Sequence, residues 1–257
     1  MAEESGVWVY AVADEVPGGR LARLTGVAGE PLRTVQGAGL TAVVGDVDLA
    51  EYGEEPLRQN LEDLDWLEAK ARAHHRVVHA VASHAPAVPM RLATVYHDDA
   101  RVAEMLTELA EPLTEGLNRV RGKVEYGVKG YAETPTPTQE RATVAASQES
   151  PGTAYLRRRR ADLAARDAER EAAINDAEQV HRKLTALSAA SRRHAPQHPS
   201  LSGQQTPMLL NGAYLVAADR ITDFTDAVTR LDAEHRAIRL ELTGPWPPYS
   251  FAAIEED

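Results

Sequence analysis

Cysteine is absent from this 257-residue chain, and its absence removes disulfide frameworks, thiolate metal sites and cysteine nucleophiles together. It also fits a cytoplasmic protein. Long apolar runs are missing as well. No stretch approaches the roughly 20 apolar residues needed to cross a bilayer, and the opening MAEESGVWVY carries acids where a signal peptide carries bases. Aromatic residues are scarce at 5%, while Ala is prominent among the 43% hydrophobic residues, so the interior is expected to rest on closely approached helices rather than aromatic bulk. Positive charge is in deficit: 28 basic against 39 acidic residues give a net charge of -11, which repels a nucleic-acid backbone or an anionic membrane surface.

What is present alternates between two periods. VWVYAVAD, Val7 to Asp14, and LTAVVGDV, Leu40 to Val47, are β-branched and aromatic runs bounded by glycine-rich turns and read as strands of one sheet. From Leu57 through Leu61, Leu64, Leu67, Ala71, His74 and Val78 to Val81 the steps of three and four predict one amphipathic helix. PMRLATVY, Pro89 to Tyr96, predicts a further strand, and Asp98 or Asp99 caps a helix that runs to Val120 with a kink at Pro112.

KVEYGVKGYA, Lys123 to Ala132, is expected to be a strand. The Thr, Pro and Ser-rich tract after it, about 133–152, is expected to be a flexible loop, as is 192–207. Between them, Ala154 to about Ser191 holds strong helix formers with neither Gly nor Pro, which predicts a very long helix or two in series. MLLNGAYLVAAD then reads as a strand, TDFTDAVTRLDAEHRA as a helix with Thr222 or Asp223 at its N-cap, and IRLELTG as a final strand that the following prolines terminate. The succession implies two α+β domains, 1–121 and 122–257, each an antiparallel or mixed sheet covered by helices.

Motifs that suggest chemistry are thin. GAGLTA, Gly37 to Ala42, satisfies G-x-G-x-x-A, but the glycines precede a strand instead of following one, so a turn is the better reading. In HHRVVHAVASH, His75 and His79 stand four apart as zinc ligands often do, yet Arg76 occupies the place of the Glu in H-E-x-x-H, and His74 lies on the apolar stripe as a core histidine would. A metal protein or small-molecule enzyme using His74, His75 and His79 is the alternative reading. No serine sits in G-x-S-x-G. Arg157, Arg158, Arg159 and Arg160 form the one dense basic run, but Asp162 stands at ion-pair spacing both from Arg158 and from Arg166, which makes a solvated helix face, or one gripping an acidic neighbour, a better account than nucleic-acid binding.

The chain then gathers Trp246, Tyr249 and Phe251 into GPWPPYSF, residues 244–251, held between Pro245, Pro247 and Pro248. Taken in order, VWVYAVAD, HHRVVHAVASH running into VPMRLATVYHD, RGKVEYGVKGYA, PGTAYLRRRR, NGAYLVA and TGPWPPYSF resemble the gas vesicle protein F and L family over nearly the whole chain. The family's usual L-P-x-R-F-G-T-V-F becomes VPMRLATVY here, with Leu92 and Ala93 where Phe and Gly are common, and Gly130 stands where an apolar strand residue is usual.

The resemblance implies accessory proteins for building gas vesicles, the gas-filled protein compartments that give cells buoyancy. It implies two α+β domains, the second ferredoxin-like with a long helix, no catalytic activity and no cofactor. The implied partners are the small hydrophobic main shell protein and other gas vesicle accessory proteins, with neither nucleic acid nor lipid membrane, and the implied location is the gas vesicle within the cytoplasm. Candidate contact residues are Arg157 to Arg160 on the long helix and Trp246, Tyr249 and Phe251, the aromatic trio serving as an anchor or as a buried lock on the second domain.

Overall fold

The computed structural model describes residues 4–16, 18–133, 151–197 and 206–252. In chain order the elements are β1 (Ser5–Ala13), α1 (Gly18–Leu21), β2 (Leu32–Gly37), β3 (Leu40–Asp48), α2 (Leu49–Tyr52), α3 (Glu54–Asn60), α4 (Leu64–Ala82), β4 (Ala87–Pro89), β5 (Val95–Tyr96), α5 (Asp99–Glu108) and α6 (Ala110–Val120), then β6 (Lys123–Ala132), α7 (Pro151–Leu187), β7 (Ala190–Arg193), β8 (Met208–Ala217), α8 (Ile221–Glu234), β9 (Ile238–Trp246) and α9 (Tyr249–Ala252). The fold is α+β. Two compact units divide it: unit 1 runs to Glu125 and takes back the tail from Pro245, and unit 2 is Tyr126–Gly244. The aromatic tail, expected on the second domain, thus packs with the first.

Unit 1 is built on β1, whose residues from Gly6 to Ala13 are all buried. Its sheet has the order β2-β3-β1-β4, with β5 also paired to β1. Strands β2 and β3 form a hairpin turned at Ala38 and Gly39, both at positive φ, so GAGLTA is a strand-to-strand turn with no helix N-terminus to receive a pyrophosphate. The register of β1 against β3 shifts between Val9 and Ala11. That bulge switches the inward face, which lets Trp8 and Tyr10 before it and Ala11 and Ala13 after it join one core cluster with Val77 and Val78 of α4.

Two expected elements are interrupted. The helix foreseen from Leu57 to Val81 breaks after Asn60, because Asp63 caps a new helix by accepting from the amides of Asp65 and Trp66, and Leu64 is left exposed at its start. The strand foreseen over Pro89–Tyr96 pairs with β1 only at its two ends. Between them the chain turns outward, with Ala93 at φ 68° and the Thr94 hydroxyl bonded to the Arg91 carbonyl at 2.8 Å. Asp98 does cap α5, accepting from the Arg101 amide at 2.9 Å, but the break before α6 falls at Leu109 and Pro112 sits harmlessly in the first turn of α6.

Unit 2 runs β-α-β-β-α-β, with its strands in the order β7-β8-β6-β9 and β7 antiparallel to β8. Helices α7 and α8 cover it through Ala177, Val180, Leu184, Phe224 and Leu231. The space that a side chain at Gly130 would need is filled by Ile238 and Leu210, which accounts for glycine at this strand position. Arg192 and Arg193 are strand residues here, not loop. Within that expected loop, residues 198–205, and nearly all of the one expected at 133–152, lie outside the described residues. A 3-10 turn, Ala218–Arg220, leads into α8 at Ile221 with Arg220 at the N-cap position, so neither Thr222 nor Asp223 is its N-cap. Strand β9 continues through Pro245 to Trp246; it lies at the sheet edge, where a missing amide donor is tolerated.

Candidate interaction surfaces

The histidines settle into different roles. His74 is buried and uses both ring nitrogens: Nδ1 accepts from the Trp8 indole N–H at 3.0 Å and Nε2 donates to the Met90 carbonyl at 3.1 Å. Because an indole only donates, the proton must sit on Nε2. Burial holds His74 neutral and pushes its pKa down to about 4. Beside it, Lys70 donates to the Val27 carbonyl and the Tyr52 hydroxyl and lies over the Tyr52 and Trp66 rings, while the Tyr10 hydroxyl donates to Glu30. These polar groups tie α4 and the 26–30 turn to the sheet.

His75 and His79 remain at the surface of unit 1 with ring centroids 5.9 Å apart. Burial and the neighbouring His79 both lower the pKa of His75. No group of three His, Asp or Glu side chains that could hold a metal ion occurs among the described residues. A hollow of about 390 Å³ in the same unit is lined by apolar residues such as Leu21, Leu24 and Val81, with Arg23 and His84 as its polar side chains. It presents neither a carboxylate pair nor a nucleophile.

The C-terminal tail is fastened by its backbone and by one side chain. Pro247 and Pro248 are buried, and the helical turn α9 lies against α6 and β4. Gly116 of α6 permits that approach, since a Cβ there would stand 3.3 Å from the Ala252 carbonyl oxygen and 3.1 Å from Val88. Arg119 donates to the Phe251 carbonyl at 2.9 Å, and the buried Glu125 carboxylate receives Ser250. The aromatic trio divides accordingly: Phe251 is 7% exposed and belongs to the core, whereas Trp246 and Tyr249 are 41% and 37% exposed. They flank His75, whose ring stacks on Tyr249 at 6.0 Å and meets the edge of Trp246 at 5.6 Å. A small aromatic and imidazole patch results.

The basic run lies in unit 2, on the first half of α7. Arg157, Arg159 and Arg160 are exposed there, and Arg158 is helical. The Asp162–Arg166 ion pair that the spacing suggested does not form. Among the described side chains of α7, burial begins at Ala173.

A model of the family described as "Gas vesicle synthesis protein GvpL/GvpF" matches residues 6–253. The chain is 39% identical over 251 residues to gas vesicle protein L of Streptomyces sp. (strain CB03234), covering 97% of this chain and 94% of that one. It belongs to the GvpL/GvpF family of gas vesicle proteins. Gas vesicle protein F of the same Streptomyces strain is 28% identical over 233 residues, covering 86% of this chain and 88% of that one. The crystal structure of GvpF from Anabaena sp. PCC7120 has the same fold, with a TM-score of 0.65 at 17% identity and 98% of each chain covered. Among the described residues no helix is long and apolar enough to cross a membrane.

The pieces of GPWPPYSF were visible in the sequence, but its docking partners Gly116, Arg119 and Glu125 were not. Nothing in the local pattern links residues that lie 125 positions apart, as Glu125 and Ser250 do.

Proposed function

We propose that this protein is an accessory or minor structural component of gas vesicles that binds the small hydrophobic main shell protein and supports assembly of the vesicle wall within the cytoplasm. The observation that carries this reading is the end-to-end match to a family described by gas vesicle synthesis. A wall subunit with apolar faces and open strand edges must be shielded until it polymerises. An acceptor with a net charge of -11 keeps such a complex dispersed. Trp246 and Tyr249, exposed beside His75, offer the kind of rigid aromatic surface on which apolar partners anchor. The higher identity to the L protein than to the F protein of one Streptomyces strain supports an L-type role.

The test is direct. Purified protein is mixed with the shell protein, and binding and shell-protein aggregation are followed, while the gene is deleted in a vesicle-forming host. Binding with delayed aggregation, together with loss of vesicles on deletion, is expected. A protein that neither binds the shell subunit nor alters its aggregation, with vesicles intact after deletion, ends this reading.

A further inference from the structure

Among the described residues, the first half of α7 has no core beneath it. Every described side chain from Tyr155 to Ala172 is exposed. Such a stretch, about five turns long, rests on the helix propensities of its Ala, Arg, Leu and Glu residues, and isolated helices of that length are marginal in water.

The exposed surface is nevertheless ordered. Leu156, Leu163 and Ile174 are seven and eleven residues apart, which is two and three helical turns, so they fall on one line along the helix. They are 58%, 52% and 42% exposed. Along one flank of that line run Arg159, Arg166 and Arg170, and among the described residues none of these three guanidiniums has a hydrogen bond or ion pair. Asp167 falls on the same line between Leu163 and Ile174, so the surface is an exposed, mainly apolar line with three unpaired arginines along one flank, which together make a recognition pattern.

We propose that this face of α7 docks an acidic amphipathic helix presented by a partner protein. Apolar side chains at whole-turn spacing fit between the ridges of another helix, and a row of carboxylates beside the partner's apolar stripe would take bidentate hydrogen bonds from the three arginines. A second copy of this chain is a poorer fit, because antiparallel pairing through the stripe sets the arginine flank of one helix against that of the other. Three apolar side chains spread over 19 positions, from Leu156 to Ile174, form too thin a line for a bilayer surface, and the net charge of -11 opposes anionic lipid and nucleic acid. The inference goes beyond binding of the shell protein, since it concerns a separate surface in unit 2 and a charged partner chemistry.

A photo-crosslinking residue placed at Leu163 in gas-vesicle-forming cells, followed by mass-spectrometric identification of the crosslinked peptide, tests it. The expected product joins Leu163 to a segment of another protein with apolar residues at helical spacing and Asp or Glu beside them. Its yield falls at least tenfold in the R159E/R166E/R170E variant and less in R159Q/R166Q/R170Q, both with melting temperatures near the parent's because all three side chains are exposed. Crosslinks to lipid, to a second copy, to a basic or extended segment, or insensitive to charge reversal overturn the proposal, as does the absence of any crosslink. Shell-protein binding measured on the same variants separates the two readings: its retention alongside a lost crosslink leaves both standing, and its absence from the parent protein removes only the first.

Discussion

Ser250 donates twice to the carboxylate of Glu125, through its backbone N–H at 2.8 Å and its hydroxyl at 2.6 Å. Glu125 is buried, so each of these bonds forms in a medium where an unmade one is costly. Replacing Glu125 by Ala strands the Ser250 amide and is expected to cost about 2–3 kcal/mol in urea unfolding, against about 1 kcal/mol for Ser250→Ala. Limited proteolysis should cut the tail of the Glu125→Ala variant first.

The unequal burial of the aromatic trio separates two substitutions. Phe251→Ala empties a packed site and is expected to cost about 3 kcal/mol or more, whereas Trp246→Ala, at a side chain 41% exposed, should cost no more than about 1 kcal/mol. Thermal melting distinguishes them. Under the proposed function it is Trp246→Ala, melting near the parent, that loses shell-protein binding.

His74 makes stability depend on pH in one direction. Its folded pKa of about 4 lies below the ordinary 6.5, so between those values the unfolded chain binds more protons than the folded one. The neutral imidazole therefore contributes its full share above pH 6.5, and roughly 3 kcal/mol of it is lost as the pH falls toward 4. Urea titrations at pH 7 and pH 4.5 should show the drop. His74→Phe, less stable at pH 7, should show a smaller one.

Ala93 carries a left-handed backbone, φ 68°, a conformation that glycine adopts without steric cost. An L-residue there costs about 1–2 kcal/mol, partly offset because glycine loses more chain entropy on folding. Ala93→Gly is accordingly expected to stabilise unit 1 by about 0.5–1 kcal/mol, read as a rise in urea midpoint at unchanged slope.

Much of this architecture was legible before any coordinates. The strand over Lys123–Ala132 follows from its β-branched and aromatic run and the long helix from its Ala, Arg, Glu and Leu composition without Gly or Pro, although its expected last residues, Ala190 and Ser191, belong to β7. Breaks within periodic stretches were harder to see. The stripe from Leu57 to Val81 reads through the Asp63 cap because Leu61 and Leu64 keep the spacing while the chain starts a new helix. VPMRLATVY alternates as a strand does, yet only its ends meet β1, because five residues, 90–94, stand opposite the two β1 residues between Trp8 and Ala11 and must turn outward. The surfaces were partly visible: the aromatic trio and the arginine run stand out by composition. Which members are buried depended on Gly116, Arg119 and Glu125, residues unremarkable in their own segments.

The return of the tail to unit 1 sets an order on synthesis. Unit 2 is bounded by Tyr126 and Gly244, in neighbouring strands β6 and β9, so all of its residues have been made before the chain reaches Pro245. Unit 1 begins before unit 2 and is completed after it. Its sheet and helices emerge early, but the site formed by Gly116, Arg119 and Glu125 stays unfilled until residues 245–252 leave the ribosome. Every growing chain therefore passes through an interval in which the surface later covered by Pro247, Pro248 and Phe251 is bare, and residues 245–252 complete a unit begun before unit 2.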